Sequence, residues 1–503
     1  MTDLRPTPGT ITPPIALEGD ALAGRLLAPP VAVDAAFLDE LAAACGDVEV
    51  SDPRLLAEAG RDWWPLAMGW ALEGDVPGFP AALVRPTTTA EVSAIARLCH
   101  DAHVPLTAAG GRSGVCGASV PVHGGVVLDT TAMSGITAVD AVSGTIDVLC
   151  GTFGDVLEEE LRSAHELTLG HWPQSIALST VGGWLACRSA GQLSTRYGKI
   201  EEMVVGLEVV LADGTVVETG GAPAAAVGPD LDQLFVGSEG TLGIITSARF
   251  RCHPSPTTTR KAAWAFPSFE AGIDALRTIL RRGATPAVAR LYDPTEADRS
   301  WSTGEKAVLL VMDEGDPVLV DATLAVVGEV CAAAESLDAG LVDRWLSHRN
   351  EVSALEALTR KGFVVDTMEI AGPWSALPAL YEQVLVALHG IDGMKAVSAH
   401  QSHSYLDGGC LYFSFAGRPP ADEREAFYVA AWDAATGAAL AGGGALSHHH
   451  GIGLNRSRFM AEALGGGMGV LQSVKDALDP HGILNPGKLG LTSPFGDVTW
   501  PST

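Results

Sequence analysis

The segment PLTAAGGRSGVCGASVPVHGG, Pro105–Gly125, joins two short apolar runs that are typical of β-strands, residues 104–109 and 126–128. It contains six glycines, which leave little side-chain bulk around the backbone and permit positive φ angles. Consecutive backbone N–H groups in such a loop can converge on an anion, typically a pyrophosphate. A glycine-rich hairpin without a ligand is the alternative interpretation. Because the loop is not a G-x-G-x-x-G that opens a helix, the sequence does not indicate a Rossmann domain.

The sequence around this loop predicts a β-α-β unit. Residues 80–84 are strand-like, and Thr88 with Glu91 fits a capping box at the start of an amphipathic helix. The strand at 104–109 and the glycine loop follow in order, as a β-α-β unit requires. Further along the chain, Asp213-Gly214 lies between two β-prone runs and predicts a hairpin.

The chain length and the breaks in its pattern predict several domains. With 503 residues, two or three domains are expected rather than one core. The pattern breaks at Pro254-Ser255-Pro256, where we place a boundary. From 257 to about 415, helices alternate with strands, which predicts an α+β domain whose helices cover one sheet face. Three tryptophans in Asp62–Gly74 are expected to pack one segment onto another domain, with a pocket wall as the alternative.

Composition argues against several classes of partner and location. The net charge of −28 disfavours nucleic acid and anionic membrane surfaces. The eight cysteines form no C-x-x-C pair, so we expect reduced thiols rather than a disulfide framework or a zinc site. No apolar run reaches the ~18–20 residues of a membrane span, and the N-terminus does not read as a signal peptide. The prediction is a cytoplasmic protein without a membrane span.

Three more glycine-bearing loops accompany the first one. They lie at Gly182-Gly183, in GSEGTLGIIT at 237–246, and at Asn485-Pro486-Gly487-Lys488. Each loop is weak by itself as a signal. Four such polar loops, each next to strands, imply one long ligand that lies across a sheet edge.

The order GGRSG, STVGGW, RYG, SEGTLGIIT and LNPGKL resembles the FAD-binding domain of the vanillyl-alcohol oxidase / p-cresol methylhydroxylase superfamily. The resemblance implies an α+β fold in which a two-subdomain FAD-binding domain is interrupted by an α+β cap domain. It predicts an N-terminal arm and helical segment at 1–79, the FAD-binding domain at 80–255, the cap or substrate domain at 256–440, and a C-terminal segment at 441–503 that returns to the FAD domain. Within the superfamily, GHWPQSIALSTVGGW (170–184), RYGKIEEMVV (196–205), DTMEIAGPW (366–374), GGCLYFSFA (408–416) and SHHHGIG (447–453) resemble the alkyldihydroxyacetonephosphate synthases most closely.

The resemblance implies FAD as the cofactor, with its pyrophosphate held by backbone N–H groups of the first loop. Non-covalent FAD is expected, because neither Cys116 nor His123 stands where a linking residue would. The predicted cofactor-binding residues are Gly110, Gly111, Arg112, Ser113, Gly114, Pro173, Ser175, Ser179, Thr180, Gly182, Gly183, Trp184, Gly191, Tyr197, Glu239, Gly240, Thr241, Gly243, Ile244 and Asn485.

The predicted catalytic residues are His448, His449, His450, Tyr412 and Arg290. Neutral imidazoles of the histidine run could take a hydroxyl proton, and the phenol could donate to a substrate oxyanion. Each residue also has a structural alternative. The histidine run could be an exposed loop, the ring of Tyr412 could pack in the core, and Arg290 could pair with a local acid.

Two observations bear on the substrate and on a metal. The family has an arginine for a phosphate-bearing substrate at the place that falls near Leu355 here, and Arg349 and Arg360 are out of register with it. Related 2-hydroxy-acid enzymes use a histidine pair and a glutamate as metal ligands. His400 and His403 are spaced like such a pair, but the glutamate is replaced in His449-His450-Gly451, so no metal is predicted.

The sequence therefore predicts an FAD-dependent oxidoreductase that oxidises an alcohol or a 2-hydroxy-acid-like small molecule by hydride transfer to flavin N5. The second hypothesis is a redox-neutral reaction like that of alkyldihydroxyacetonephosphate synthase, through a flavin N5 adduct. The third is a flavin-binding partner subunit without catalysis, which the intact histidine run argues against. A homodimer is an assembly that the sequence leaves open.

Overall fold

The structure is a computed structural model that describes residues 15–19, 22–25, 28, 30–351 and 353–498. Much of the predicted N-terminal arm lies outside these residues. Among the helices that the structure describes, none combines the length and the apolar character needed to cross a bilayer.

The secondary structure comprises short strands and helices spread over both halves of the described chain. The strands are β1 (Ala23–Gly24), β2 (Val48–Glu49), β3 (Asp75–Val76), β4 (Ala82–Val84), β5 (Leu106–Ala109), β6 (Val126–Asp129), β7 (Ile136–Asp140), β8 (Thr145–Leu149), β9 (Leu167–Thr168), β10 (Val204–Val210), β11 (Val216–Gly220), β12 (Ile244–Arg251), β13 (His253–Pro254), β14 (Thr258–Phe266), β15 (Val288–Tyr292), β16 (Ala307–Gly315), β17 (Glu335–Leu337), β18 (Val364–Pro373), β19 (Met394–Ser404) and β20 (Gly408–Gly417). The α-helices are α1 (Ala35–Ala44), α2 (Pro53–Ala59), α3 (Pro65–Ala71), α4 (Thr89–Ala102), α5 (Gly154–Ala164), α6 (Val181–Ala186), α7 (Ser194–Tyr197), α8 (Ile200–Met203), α9 (Asp232–Phe235), α10 (Phe269–Arg281), α11 (Pro294–Trp301), α12 (Pro317–Val330), α13 (Gly340–His348), α14 (Ser353–Arg360), α15 (Leu377–His389), α16 (Arg424–Ala441), α17 (Met460–Leu464) and α18 (Gly467–Leu478).

The first sheet contains the predicted β-α-β unit. Its strand order is β2-β4-β6-β5, with β4 and β5 both parallel to β6. Helix α4 connects β4 to β5 and begins with the predicted capping box, in which Thr88 accepts from the Glu91 N–H. The glycine loop 110–125 begins where β5 ends and connects this strand to β6. This part of the prediction is confirmed.

The second sheet is antiparallel, with strand order β11-β10-β12-β8-β7. Strands β10 and β11 form the predicted hairpin around Asp213-Gly214, where Gly214 has φ +81°. Helices α5 and α6 pack against this sheet through Leu157, Leu161 and Trp184.

The third sheet begins directly after Pro254-Ser255-Pro256 and has seven antiparallel strands in the order β17-β14-β16-β15-β19-β20-β18. Helices α10, α12, α15 and α16 cover one face, as predicted, and bury Leu411 and Phe413. The prediction missed α11 and α13, which pack on the opposite face through Ala297 and Trp345, in one cluster with Val288 and Leu310.

The chain returns to the first sheet after α16. Leu484 forms a parallel bridge with Leu106, next to the edge strand β5. The buried Lys475 of α18 donates from Nζ to the carbonyl oxygens of Thr241 and Leu484, both at 2.8 Å. The C-terminal segment is therefore held against the loops of the first two sheets.

The tryptophan-rich segment joins the N-terminal part to the third sheet. Trp64 Nε1 donates to Tyr428 Oη at 2.9 Å, and Tyr428 Oη donates to Asp366 Oδ2 at 2.7 Å. These groups are fully or almost fully buried. The expected packing between segments is thus observed, while the neighbouring Trp63 lines a cavity, the alternative role.

Candidate active site

One continuous cavity lies where the first two sheets meet the open face of the third. Its first half is lined by the glycine loop 110–114, the 173–184 turn region and residues 238–245. Its second half is lined by Arg290, Thr367, His400, Ser402, His403, Tyr412, His449 and His450. Three of the four glycine-bearing loops thus lie around one space, and Asn485 of the fourth loop donates to the backbone of one of them.

The glycine loop is shaped by close backbone packing. A Cβ atom on Gly111 would lie 2.0 Å from the Leu178 carbonyl oxygen, and one on Gly110 would lie 2.3 Å from Thr180 Oγ1. On Gly114 the nearest protein atom to an added Cβ would be 3.7 Å away. The loop therefore presses on the 178–180 turn on one side and leaves a backbone-lined cradle on the other. Such a cradle suits the diphosphate of FAD.

Most predicted cofactor residues line this cavity. They are Gly110, Gly111, Arg112, Ser113, Gly114, Pro173, Ser175, Ser179, Thr180, Gly182, Gly183, Trp184, Glu239, Gly240, Gly243 and Ile244. Gly191, Tyr197, Thr241 and Asn485 are not among the lining residues.

Those four residues lie behind the wall and support it. Asn485 donates from Nδ2 to the carbonyl oxygens of Ala118 (2.9 Å) and Glu239 (2.7 Å). Thr241 Oγ1 donates to the Ser238 carbonyl at 2.7 Å, and Tyr197 Oη donates to Glu314 at 2.9 Å. A Cβ on Gly191 would lie 2.4 Å from the Trp172 nitrogen. These contacts depend on tertiary packing, which explains why motif reading grouped the residues with the lining.

The second half of the cavity is built by strand alternation in the third sheet. Phe413 and Leu411 face the helices, so Tyr412 points to the opposite face. The register places His400 opposite Tyr412, and their rings stack with centroids 4.7 Å apart. Tyr412 Oη donates to Thr367 Oγ1 at 3.0 Å on the neighbouring strand. Core packing of Tyr412, the alternative interpretation, is thus wrong, because its ring lines the cavity.

The histidine run 448–450 is held by one buried carboxylate. Glu369 Oε1 accepts from the backbone N–H groups of His448 (3.1 Å), His449 (3.0 Å) and His450 (2.7 Å). Arg456 pairs with both oxygens of Glu369, and neither side chain is exposed. Burial would raise the pKa of Glu369, but Arg456 and then His450 hold it well below the usual value. The run is therefore a fixed loop and not the exposed one of the alternative interpretation.

A second buried carboxylate holds the next residues of this loop from the other side. Glu239 accepts from the N–H groups of Ile452 and, at 2.8 Å, of Gly453. Gly453 has φ +52°, and a Cβ there would lie 2.1 Å from the Cys116 carbonyl oxygen. Glu369 belongs to the third sheet and Glu239 to the loop before β12, so the histidine loop is fixed to both halves of the cavity.

The rings of His403, His448 and His449 are hydrogen-bonded, and their lowered pKa values keep them uncharged. His448 Nδ1 lies 2.9 Å from His449 Nδ1, and His403 Nδ1 lies 2.7 Å from Ser194 Oγ. Burial lowers the pKa of His448 to about 3 and that of His449 well below its usual value, with the His450 charge adding to the second shift. Burial likewise raises the pKa of Tyr412, so its phenol stays protonated. His448 itself is not among the lining residues; its Nε2 lies 3.0 Å from Tyr405 Oη.

His400 and His403, which are spaced like a metal-binding pair, both line the cavity. His400 contacts Arg290 at 2.6 Å and Glu296 at 3.3 Å. A different group, His403, His448 and His449, brings one ring nitrogen each within 4.8 Å of one another among the described residues. The prediction that no metal is bound is not tested by this arrangement.

The segment around Leu355 supplies no cavity residue. Leu355 packs against the cluster of Ile15 and Leu17, and Arg360 pairs with Glu18 and Glu356 near the surface. Arg349 lies over the Trp172 ring at 4.8 Å, outside the lining residues. The departure from the synthase pattern is therefore also a structural one.

Sequence reasoning missed several residues around the site. Asp62, Trp63, Gln192, Thr367 and Ser402 line the cavity without having been predicted. Glu369 and Arg456 support it from behind. Thr367 and Glu369 lie inside the quoted motif DTMEIAGPW, which was the available signal for them.

Two family profiles match the sequence. A profile described as FAD binding domain matches residues 80–220, and one described as FAD linked oxidases, C-terminal domain, matches residues 255–489. The first match contains the glycine loop, and the second contains the third sheet and the histidine loop.

Similar proteins include oxidoreductases and synthases. The chain is 33% identical over 433 residues to the uncharacterized FAD-linked oxidoreductase YgcU of Escherichia coli O157:H7, covering 82% of this chain and 89% of that protein. It is 32% identical over 454 residues to alkyldihydroxyacetonephosphate synthase of Dictyostelium discoideum, with 83% and 74% covered. It is 27% identical over 459 residues to glycolate oxidase subunit GlcD of Bacillus subtilis, with 88% and 95% covered. A solved alkyldihydroxyacetonephosphate synthase structure superposes with TM-score 0.77 at 26% identity, over 91% of this chain and 86% of the other.

The fold and the cavity define an FAD-binding enzyme of the vanillyl-alcohol oxidase / p-cresol methylhydroxylase superfamily. Within this class, the chain belongs to the FAD-linked oxidoreductase family. The predicted fold class and cofactor are confirmed.

Replacement of Gly111 should separate cofactor binding from folding. In Gly111→Val a side chain would collide with the Leu178 carbonyl and displace the cradle, so the purified variant should lose FAD and keep most of its far-UV circular dichroism. Gly328→Val is the control, because nothing lies within 4 Å of an added Cβ there. Full FAD occupancy in Gly111→Val would show that the loop does not hold the cofactor.

Replacement of Glu369 should loosen the histidine loop. Glu369→Gln removes the charge that pairs with Arg456 and places an amide among donors, so urea unfolding should show a loss of about 3–5 kcal/mol. The exposed Glu382→Gln in α15 makes the same chemical change and should cost below about 0.5 kcal/mol. Equal stability of the two variants would contradict the anchoring role of Glu369.

Proposed function

We propose that this enzyme oxidises an alcohol, and most specifically a 2-hydroxy-acid-like small molecule. FAD would accept the hydride at its N5 atom, which is the chemistry that the cofactor supplies when bound. The observation that carries the proposal is the joint lining of one cavity by the glycine loop, by His449 in its uncharged form, and by His450, Tyr412 and one arginine, Arg290. Each of these side chains has a distinct task in such a reaction.

His449 is the proposed base, with His450 as its neighbour in the same loop. A base must be unprotonated before it can take the hydroxyl proton, and the lowered pKa of His449 supplies that state. Glu369, which lies behind the loop, would stabilise the imidazolium that forms. The phenol of Tyr412 would donate a hydrogen bond to the substrate oxygen, because it stays protonated.

Arg290 is the proposed partner of a substrate carboxylate. Its guanidinium contacts Tyr292 Oη and His400 Nε2, and no carboxylate pairs with it among the described residues. The local-acid alternative is therefore less well supported than the substrate contact. The acids that line the cavity, Asp62 and Glu239, lie at the glycine-loop half. The likeness to a glycolate oxidase subunit supports an anionic hydroxy acid.

A redox-neutral synthase reaction is the second candidate. The likeness to alkyldihydroxyacetonephosphate synthase in sequence and fold favours it. The absence of a cavity arginine in the described segment around Leu355 argues against its phosphate-bearing substrate. Anaerobic mixing with candidate substrates separates the two, because oxidation bleaches the flavin absorbance and a redox-neutral exchange gives product without net bleaching.

The histidines should control the rate of flavin reduction. Either His449→Ala or His450→Ala should slow anaerobic stopped-flow reduction by ~10²–10⁴-fold, the usual effect of losing a positioned base. FAD occupancy should change little, because the glycine loop lies on a separate segment. Unchanged rates in both variants would return the run to a structural role, and parallel loss of FAD and activity would make the histidines cofactor ligands.

The pH dependence of this rate should be flat around neutrality. Because the pKa of His449 is well below its usual value in the folded protein, the base stays neutral as the pH falls through the ordinary histidine pKa of ~6.5 and is lost only in stronger acid. A rate that falls with a midpoint near the ordinary histidine pKa of ~6.5 would contradict the assignment of His449. Retained FAD at each pH serves as the control.

The attachment of FAD is a further expected outcome. The purified protein should be yellow, and denaturation with acid should release the flavin into the supernatant. Colour that stays with the precipitate would show a covalent link.

The remaining predictions concern the protein in the cell. We propose a cytoplasmic enzyme with a small-molecule substrate, and a homodimer as the assembly to test. Light scattering after size-exclusion chromatography distinguishes a mass near 52 kDa from twice that value.

A further inference from the structure

Behind the anion-binding wall of the cavity lies a buried glutamate that no proposed step uses. Glu296 belongs to the first turn of α11, is 9% exposed and does not line the cavity. Its carboxylate lies 3.3 Å from His400 Nδ1 through either oxygen. His400 lies on β19, more than 100 residues further along the chain.

The hydrogen bonds of His400 fix its tautomer. A guanidinium can only donate, so the 2.6 Å contact between Arg290 Nη2 and His400 Nε2 requires an unprotonated Nε2. The ring proton is then on Nδ1, where it points at Glu296. Burial and the Arg290 charge lower the pKa of His400, which agrees with one ring proton rather than two.

The same imidazole contacts two proposed site residues. Its ring stacks on Tyr412 with an interplanar angle of 14°, and its Nε2 holds one arm of Arg290. Tyr292 Oη accepts from Arg290 Nε at 3.0 Å and fixes a second edge of the guanidinium. Nη1 of Arg290 has no hydrogen bond to a described residue, so this nitrogen is available to donate to a ligand.

We propose that Glu296 and His400 are positioning residues that hold Arg290 to receive a carboxylate monoanion, which makes them determinants of substrate charge. The inference rests on the proposed function for the role of Arg290. If Nδ1 loses its acceptor, the proton can move to Nε2, where it would oppose the Arg290 donor and release the guanidinium. Anionic ligands should then bind more weakly, while uncharged ligands of the same shape should not.

The test uses the FAD-bound enzyme with oxamate, a carboxylate monoanion, and with its uncharged methyl ester. Binding is followed by the change in the visible flavin spectrum, which requires no turnover. Glu296→Leu removes the acceptor of Nδ1, so it should raise the oxamate Kd about tenfold, the scale of one lost hydrogen bond, and should leave the ester Kd unchanged. The exposed Glu305→Leu, in the loop after α11, is the matched control and should bind both as the wild type does.

Two variants of His400 test the acceptor itself. The Gln side chain can place an acceptor near the position of Nε2, so His400→Gln should retain oxamate binding. His400→Leu removes the acceptor of Arg290 and should lose about as much oxamate affinity as Glu296→Leu. Equal oxamate affinity in Leu and Gln variants would overturn the positioning role of His400.

The outcomes separate this inference from the proposed function. Arg290→Leu should lose oxamate binding and retain the ester. If Arg290→Leu loses oxamate but Glu296→Leu does not, the inference is wrong and the carboxylate contact of Arg290 stands. If Arg290→Leu binds oxamate like the wild type, or the wild type does not bind it, the carboxylate contact is wrong and the inference falls with it. An equal weakening of oxamate and ester in Glu296→Leu would mean general loosening of the cavity and would also overturn the inference.

Discussion

The pairing of Glu369 with Arg456 is the interaction on which the site depends. Both side chains are fully buried, and a buried charge without a partner would cost several kcal/mol. With its charge compensated, the Glu369 carboxylate can accept three successive backbone N–H groups from 448–450. The ion pair therefore fixes the conformation of the loop, and the loop fixes the positions of the histidine side chains.

The third sheet places its apolar and polar side chains on opposite faces. Because strand residues alternate between faces, burial of Leu411 and Phe413 under the helices forces Tyr412 toward the cavity. Neighbouring strands place Arg290, Thr367 and His400 on that same face. A register shift of one residue in β20 would exchange the apolar and polar sets, so the hydrophobic helix contacts and the polar site specify each other.

The sequence was sufficient for what is local and insufficient for what depends on register. The β-α-β unit, the hairpin at Asp213-Gly214 and the glycine loop were predicted because turn residues and caps act within a few positions. The alternation in GGCLYFSFA predicts that β20 has two distinct faces, but it does not indicate which face the helices cover. Both core packing and a catalytic role therefore stayed open for Tyr412. The partnership of Glu296 with His400 joins residues 104 positions apart and has no local signal. For the same reason, the hydrogen bonds of Asn485 and Thr241 to the backbone behind the cavity lining had no local signal, and their predicted contact with FAD stays a prediction.

The distribution of charge around the cavity determines which charged groups it can bind and stabilise. In a chain of net charge −28, the substrate half of the cavity contains Arg290, the phenol of Tyr412 and the uncharged rings of His403 and His449. Glu296 and Glu369 lie one layer behind these groups. A carboxylate in that second layer neither repels an anionic ligand at contact distance nor competes for the arginine. Such a carboxylate does stabilise the positive charge that appears when an imidazole in front of it takes a proton. The wall is therefore suited to bind an anion while its histidines are neutral and to stabilise a cation once a proton has moved.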